Sequence, residues 1–305
     1  MIKKLGAMLG AVALAAVTSC AAIFGMSPKA EAITCPATYV IAVPGTWESA
    51  DWDNPYNPTS HPNSFLLGVT KAVQAQAGNR TVVYTLPYLA QFHRVNGDGE
   101  ATYDESHNEG LAKLNAQLSY VAGQCPGTQF LLMGFSQGAV IVGDAANYIG
   151  YGNGPIPADR IKGIALVADG RRDPSAGQFV GNPVGGVGAE VSLARVVPLL
   201  PYLNLVATLD PSFRQPVADA QALVAGITMR GPRPGGFGSL SNRTFEICAP
   251  NDPVCDNPWI LLDAIQRANN NLFESIVHTQ YATNPNVIPG TTVKDWLIGW
   301  TTSQL

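Results

Sequence analysis

The chain has 305 residues, 46% of them hydrophobic, which is enough for a sizeable core in one or two domains. A formal charge of -4 leaves no basic surplus to hold nucleic acid, and charged residues make up only 13%, about half the usual share. With 31 Gly and 23 Pro, it reads as a compact, loop-rich extracellular protein rather than a disordered one.

The chain opens with Lys3 and Lys4, then a nearly unbroken apolar run, Leu5–Gly25. Ala30-Glu31-Ala32 is a small-x-small cleavage signal. Residues 1–32 are therefore read as a signal peptide cleaved after Ala32, and 33–305 as a single domain. Two rival readings stand beside it. Val17-Thr18-Ser19-Cys20 resembles a lipoprotein box that would leave a lipidated Cys20, and the apolar run is just long enough to remain as a membrane anchor. All three place the folded part outside the cytoplasm. Without residues 1–32 the chain keeps 15 Lys+Arg against 21 Asp+Glu, a charge of -6. Four cysteines also remain, Cys35, Cys125, Cys248 and Cys255. An even number in an oxidising compartment implies two disulfides, with three pairings open. Cys248 and Cys255 suit a small staple, which would leave Cys35 to Cys125.

The body of the chain alternates strands and helices. Tyr39–Val43 is an apolar strand ended by Pro44-Gly45, Ser64–Gln76 has helical spacing, and Thr81–Leu86 is a strand stopped by Pro87. Ser106–Val121 reads as a helix capped by Ser106, with Glu109 as its capping-box partner. A strand over Gln129–Gly134 leads to a helix over Gln137–Ile149. Ile161–Ala168 and Thr244–Cys248 read as strands, and Leu261–Phe273 and Val293–Trp300 as helices. Continuous apolar strands separated by helices predict an α/β fold, a mainly parallel central sheet covered on both faces.

Residues 174–242 break this rhythm as a long irregular insertion ending in Gly231-Pro-Arg-Pro-Gly-Gly-Phe-Gly238. Its apolar stretch, Val196–Leu209, is expected to pack Leu199, Leu200, Leu203 and Leu205 into the core. The alternative is a flap that offers an apolar surface to lipid.

Gly134-Phe135-Ser136-Gln137-Gly138 fits G-x-S-x-G. The serine of such a motif sits on a strained strand-to-helix turn, and side chains at the flanking glycines would collide with backbone. The strand before and helix after supply that context. The helix also aims its positive N-terminus at the site, favouring an oxyanion. In this fold the acid and then the histidine follow the serine. Of His61, His93, His107 and His278, only His278 lies after Ser136, so it is the base and the other three are structural or surface residues. The acid belongs in a loop at the C-terminal end of a strand. Asp252 and Asp169 both qualify, whereas Asp144 is on the helix after Ser136 and faces away. Asp252 is preferred because a Cys248–Cys255 bridge would fix its loop. Asp169 is expected to pair with Arg171 or Arg172.

Together these residues resemble the cutinase family, in which a G-x-S-x-G serine works with an Asp inside a short disulfide loop and a later His. Gly134–Gly138, the loop Cys248-Ala-Pro-Asn-Asp252-Pro-Val-Cys255 and His278 match in order, and Cys35 and Cys125 match the family's second bridge. The loop around Ile41-Ala-Val-Pro-Gly-Thr46-Trp-Glu48 corresponds to the family's oxyanion loop. The resemblance thus implies Thr46 and the amide of Gln137 as the oxyanion hole. The stretches Val43-Pro-Gly-Thr-Trp-Glu-Ser49, Ala168-Asp-Gly-Arg-Arg172 and Gly231-Pro-Arg-Pro-Gly-Gly-Phe-Gly238 look most like the cutinase-like lipases of mycobacteria and related actinobacteria. That likeness implies phospholipase A and acyl-thioesterase activity on long chains in a mycolic-acid-rich envelope. Compact fungal cutinases work on an exposed serine, so the insertion here argues against polymeric cutin as substrate.

The expected partner is a lipid or other acyl ester, with a membrane or cell-envelope surface nearby, and a monomer is expected. No metal or cofactor is called for by a serine mechanism, and four His with four paired Cys leave no convincing ligand cluster. Acyl transfer to an envelope alcohol is the second reading. A non-catalytic lipid-binding protein on the same fold is the third.

Overall fold

The structure is a computed structural model, and it describes residues 35–92, 99–195, 197–215, 217, 218, 221, 227–257 and 276–305. Six strands form its sheet: β1 (Thr38–Val43), β2 (Thr81–Thr85), β3 (Gln129–Phe135), β4 (Ile161–Val167), β5 (Gln178–Phe179) and β6 (Thr244–Ile247). Their order is β2-β1-β3-β4-β6-β5, and every pair is parallel. Every residue of β1 is buried. Tyr39, Ile41 and Val43 point to one face and Val40 and Ala42 to the other, which is why the strand reads as a continuous apolar run.

Helices cover both faces. On the first, α2 (Tyr103–Gln124) and α3 (Gln137–Gly150) bring Leu114, Leu118 and Ile141 against Ile41, Phe130 and Leu132. On the second, α1 (Phe65–Gln76) places Leu66, Val69 and Val73 against Val40, Leu131 and Met133. This is the parallel α/β arrangement, covered on both faces, expected from the alternating pattern. The predicted helix at Leu261–Phe273 lies outside the described residues.

Helix α2 starts earlier than its sequence suggested. Thr102 is the cap: its hydroxyl accepts from Glu105 N, and the Glu105 carboxylate accepts from Thr102 N at 2.8 Å. Two capping boxes overlap here, Thr102–Glu105 and Ser106–Glu109, and the first wins because nothing stops the helix between them. Ser106 is instead buried and serves the site below.

The insertion is not irregular throughout. It contributes the edge strand β5, pairing with β6, and the helices α4 (Ala189–Leu193) and α5 (Leu200–Leu209). Its apolar stretch corrects the expectation of core packing. Leu205 is 61% and Leu209 79% exposed, and Leu199 and Tyr202 are exposed too. No charged residue lies between Val196 and Leu209, so the short helix α5 turns Tyr202, Leu205 and Leu209 outward beside only Asn204 and Thr208.

Both disulfides form, Cys35–Cys125 and Cys248–Cys255. In the chain-entropy account the bridge spanning 90 residues stabilises by about 4.6 kcal/mol and the one spanning 7 by about 2.4 kcal/mol. The small bridge therefore matters more for where it puts Asp252 than for global stability. The chain closes with α6 (Ile276–Thr279), a single turn, and α7 (Val293–Thr302), which packs beside α1.

Candidate active site

Strand β3 runs directly into the turn at Ser136, whose backbone sits at φ 54° and ψ -120° before α3 begins. This is a strained region for a side chain larger than glycine, and it is held by the Ser136 amide donating to Val167 O at 2.9 Å. The flanking glycines are required by space. A Cβ on Gly134 would come 2.6 Å from Ala139 Cα, and one on Gly138 would collide with the carbonyl oxygens of Val43 and Pro44.

The structure brings Ser136, His278 and Asp252 together in one line. His278 Nε2 is 3.0 Å from Ser136 Oγ. Its Nδ1 is 2.9 Å from Asp252 Oδ2 and 3.1 Å from Oδ1. All three are buried, and Ser136 is only 3% exposed. The Phe135 ring stacks on the His278 ring at 5.1 Å between centroids, which fixes its plane.

Asp252 follows β6 within the Cys248–Cys255 loop. Its carboxylate accepts from Val254 N at 2.9 Å and from the Tyr281 hydroxyl at 2.6 Å. Burial, and then the charge of Asp252, push the Tyr281 hydroxyl well above its ordinary pKa, so it keeps its proton and donates. The same hydroxyl accepts from Ala249 N at 2.9 Å, tying the disulfide loop to the histidine segment. Sequence reasoning missed Tyr281. Its position three residues after His278, in Val-His-Thr-Gln-Tyr, was the available signal.

The loop after β1 is braced on three sides. Trp47 has φ 59°, its amide donates to Ala90 O at 2.5 Å, and its indole donates to Glu100. Glu48 accepts from Gly45 N at 3.3 Å and, at the start of α1, from Phe65 N at 3.0 Å and Ser64 Oγ at 3.3 Å. Gln137 is held by its side chain, whose oxygen accepts from Ser106 Oγ at 3.0 Å and Tyr88 Oη at 3.2 Å. Neither the amide of Thr46 nor that of Gln137 donates to another described residue, and both residues border Ser136 in one cavity.

Two recesses meet at Ser136 and Thr46. The first, about 510 Å³, is almost wholly apolar and is walled by Phe92, Val140, Leu193, Ile227, Met229 and Val254. The second, about 870 Å³, mixes polar and apolar groups, with Trp47, Glu48, Asn63, Phe65, His278 and Thr279 on its walls.

Asp169, the rival acid, is bound elsewhere. Its carboxylate receives the Arg233 guanidinium at 2.5 Å, so the expected pairing with Arg171 or Arg172 gives way to a residue 64 positions on. Arg171 instead reaches Asp144 at 2.8 Å, donating only its backbone amide to Asp169. Arg172 donates to the carbonyls of Gly186 and Val184. Asp144 also receives Arg233 at 2.7 Å, Arg230 at 3.2 Å and His107 at 3.1 Å, and Arg230 bridges on to Glu190 at 2.8 Å. Burial alone would raise the Asp144 carboxyl, but Arg233, the His107 hydrogen bond, Arg171 and Arg230 outweigh it and hold it well below the usual carboxylate range. His107 is thus a buried structural histidine and His61 is partly exposed, while His93 lies outside the described residues. Glu246 behaves oppositely. Arg172 Nε stands 3.7 Å away without a hydrogen bond, so burial, followed by the charge of Asp169, pushes this carboxyl well above its ordinary value.

A strand-to-helix serine elbow with a histidine lying over it, on a parallel sheet, belongs to the serine carboxylic ester hydrolases of the α/β-hydrolase fold. The comparisons agree and narrow this. The cutinase family model matches residues 59–283. The "Carboxylesterase Culp6 homolog" of Corynebacterium glutamicum is 47% identical over 279 residues, covering 91% of this chain and 84% of that protein. Among solved structures, the catalytic core domain of acetyl xylan esterase from Trichoderma reesei aligns with a TM-score of 0.52 at 18% identity, covering 89% of this chain and all of that one. A cutinase-like protein from Cryptococcus sp. aligns at 0.49 and 15% identity, covering 90% and 97%. The chain belongs to the cutinase family and is an ester hydrolase.

Proposed function

We propose that this chain is a secreted lipid esterase in which Ser136, His278 and Asp252 form the catalytic triad. The observation that carries the reading is the unbroken hydrogen-bonded line from Ser136 Oγ through the imidazole to a buried carboxylate. Ser136 attacks the acyl carbonyl as His278 takes its proton. Asp252, held by Val254 N and Tyr281, keeps the imidazole in the right tautomer and stabilises its charged form. The free amides of Thr46 and Gln137 hold the oxyanion. His278 returns the proton to the leaving group, then activates a water that releases the acid from Ser136.

The apolar recess suits the acyl chain, and its walls favour long chains over acetyl. Phospholipase A and thioesterase reactions are the finer reading that the family resemblance implies. A serine 3% exposed favours a single lipid molecule over a polymer such as cutin. The uncharged, exposed face of α5 belongs to the same insertion as Leu193, Ile227 and Met229 of the recess wall, and we assign it to contact with lipid. Export through residues 1–32 fits the two disulfides, which need an oxidising compartment. Acyl transfer to an envelope alcohol would use the same acyl-enzyme, and the low exposure of Ser136 favours it as the second reading, because little bulk water reaches the ester.

The test is hydrolysis of p-nitrophenyl esters from acetyl to palmitoyl by the chain from residue 33. Ser136→Ala and Asp252→Ala are expected to lose several orders of magnitude in kcat/KM, about 10³-fold or more, while Asp169→Ala is read only for folding, since Arg233 depends on it. Wild-type rates in Ser136→Ala would end the triad assignment.

A further inference from the structure

Gly170 is buried, yet its backbone does not call for glycine. Its φ is not positive, and a Cβ there would meet no backbone of another segment. The glycines of the serine turn differ, because backbone atoms stand where their side chains would be. At Gly170 the atoms within 4 Å of an added Cβ are Val140 Cγ2 at 3.2 Å and Val254 Cγ1 at 3.9 Å. Gly170, Val140 and Val254 all line the apolar recess beside Ser136. We infer that Gly170 sets the length of acyl chain this enzyme accepts: its missing side chain keeps open the gap between Val140 and Val254 through which a long chain passes. The inference rests on the reading of this recess as the acyl site.

The gap lies beyond the nucleophile, where only longer chains reach. Gln137 and Val140 both line the recess from the first turn of α3, three residues apart on one face. Val140 therefore stands about 4.5 Å further along the helix axis, away from Ser136. An acetyl group on Ser136 Oγ ends short of it. An octanoyl or palmitoyl chain laid into the recess has to run past it.

The walls of the gap are tied in place, so an added side chain takes its room from the recess. Gly170 O accepts from Glu190 N at 2.9 Å, and Gly188 packs so close to that carbonyl that a Cβ on it would collide. Asp169, the preceding residue, is bound by the Arg233 guanidinium. The same guanidinium donates to Val140 O at 3.1 Å. Val254 sits inside the Cys248–Cys255 ring, and its amide donates to Asp252 at 2.9 Å. A methyl group 3.2 Å from Val140 is already tighter than ordinary contact, and a close-packed interior gives way little. A methyl at position 170 would narrow the gap, and an isopropyl group would close it.

The experiment measures kcat/KM for p-nitrophenyl acetate, octanoate and palmitate with the wild type, Gly170→Ala, Gly170→Val and the double variant Gly170→Ala with Val140→Ala. The readout is the palmitate-to-acetate ratio, in which a loss that acts on the triad alone cancels. Gly170→Ala is expected to lower the ratio several-fold, and Gly170→Val at least about tenfold. The double variant removes the methyl that the new Cβ meets, so its ratio is expected to return toward that of the wild type. Should Gly170→Val fail to fold, Gly170→Ala and its double variant decide the matter. Wild-type ratios in the Gly170 variants, or acetate and palmitate rates that fall in parallel, would overturn the role of Gly170 and leave the triad standing. If the wild type hydrolyses the acetate but neither longer ester, the acyl reading of the recess fails first and the inference falls with it. If the wild type hydrolyses none of the three, the triad reading fails before either.

Discussion

The insertion has two arms that obey opposite rules. The arm from Ile227 to Phe237 is tied to the core by Arg230 and Arg233, which reach Glu190, Asp144 and Asp169. The arm carrying α5 makes short-range side-chain hydrogen bonds, Thr208 to Leu205 O, Ser212 to Asp210, and Arg214 to Ala207 O, and turns Leu199, Leu205 and Leu209 outward. Only the first lines the acyl recess, through Ile227 and Met229. The comparison teaches that a long Gly- and Pro-rich insertion is not one kind of segment. Its rigid part is fixed by buried charge pairs, and its apolar part is left on the surface.

The sharpest way to break this comparison is Arg233→Ala. It strips Asp144 and Asp169 of their closest guanidinium in a buried site, and we expect a loss of about 3–5 kcal/mol in denaturant unfolding. A loss under about 1 kcal/mol would mean that the charge pairs do not hold this arm. Next in size is a pH effect. The folded pKa of Asp144 is depressed, so its contribution is present above the ordinary carboxylate pKa of about 4 and is lost as pH falls through the folded value. Glu48, Glu190 and Glu246 are shifted upward and tilt the curve the other way. The difference between wild type and Asp144→Asn is therefore the readout: the stability gap should narrow as pH drops below about 4. A gap constant with pH would refute the depressed carboxyl. The smallest effect on folding belongs to the other arm. Leu205→Ser with Leu209→Ser should change stability by no more than about 0.5 kcal/mol, yet reduce partition onto phosphatidylcholine vesicles at least about tenfold. Unchanged vesicle binding would assign α5 some other surface.

The residues of the site were mostly legible in the chain. Ser136 announced itself because β3 and α3 frame it with glycines that backbone contact demands. His278 stood alone after the serine, and the cysteines on either side of Asp252 marked its loop. Continuous apolar strands made the parallel sheet readable for the same reason, since burial on both faces leaves a plain signature. What did not show was pairing at long range. Arg233 finds Asp144 across 89 residues and Asp169 across 64, and a charge pair of that span leaves no periodic trace in either segment. The start of α2 was missed for a local reason, two overlapping capping boxes. The outward face of α5 was missed because an apolar run of that length is as common in a core as on a lipid-facing surface.

The two disulfides also divide the chain by covalent connectivity. One closes a ring from Cys35 to Cys125 that contains Thr46 and Glu48, and the other closes a small ring around Asp252. A protease nick inside either ring leaves one covalent molecule. A nick in the insertion falls outside both, and it parts the nucleophile and its oxyanion loop from the acid and base. The pieces would then be held together by non-covalent contacts alone, among them the pairing of β6 with β4, the packing of α7 beside α1 and the arginines of the Ile227–Phe237 arm.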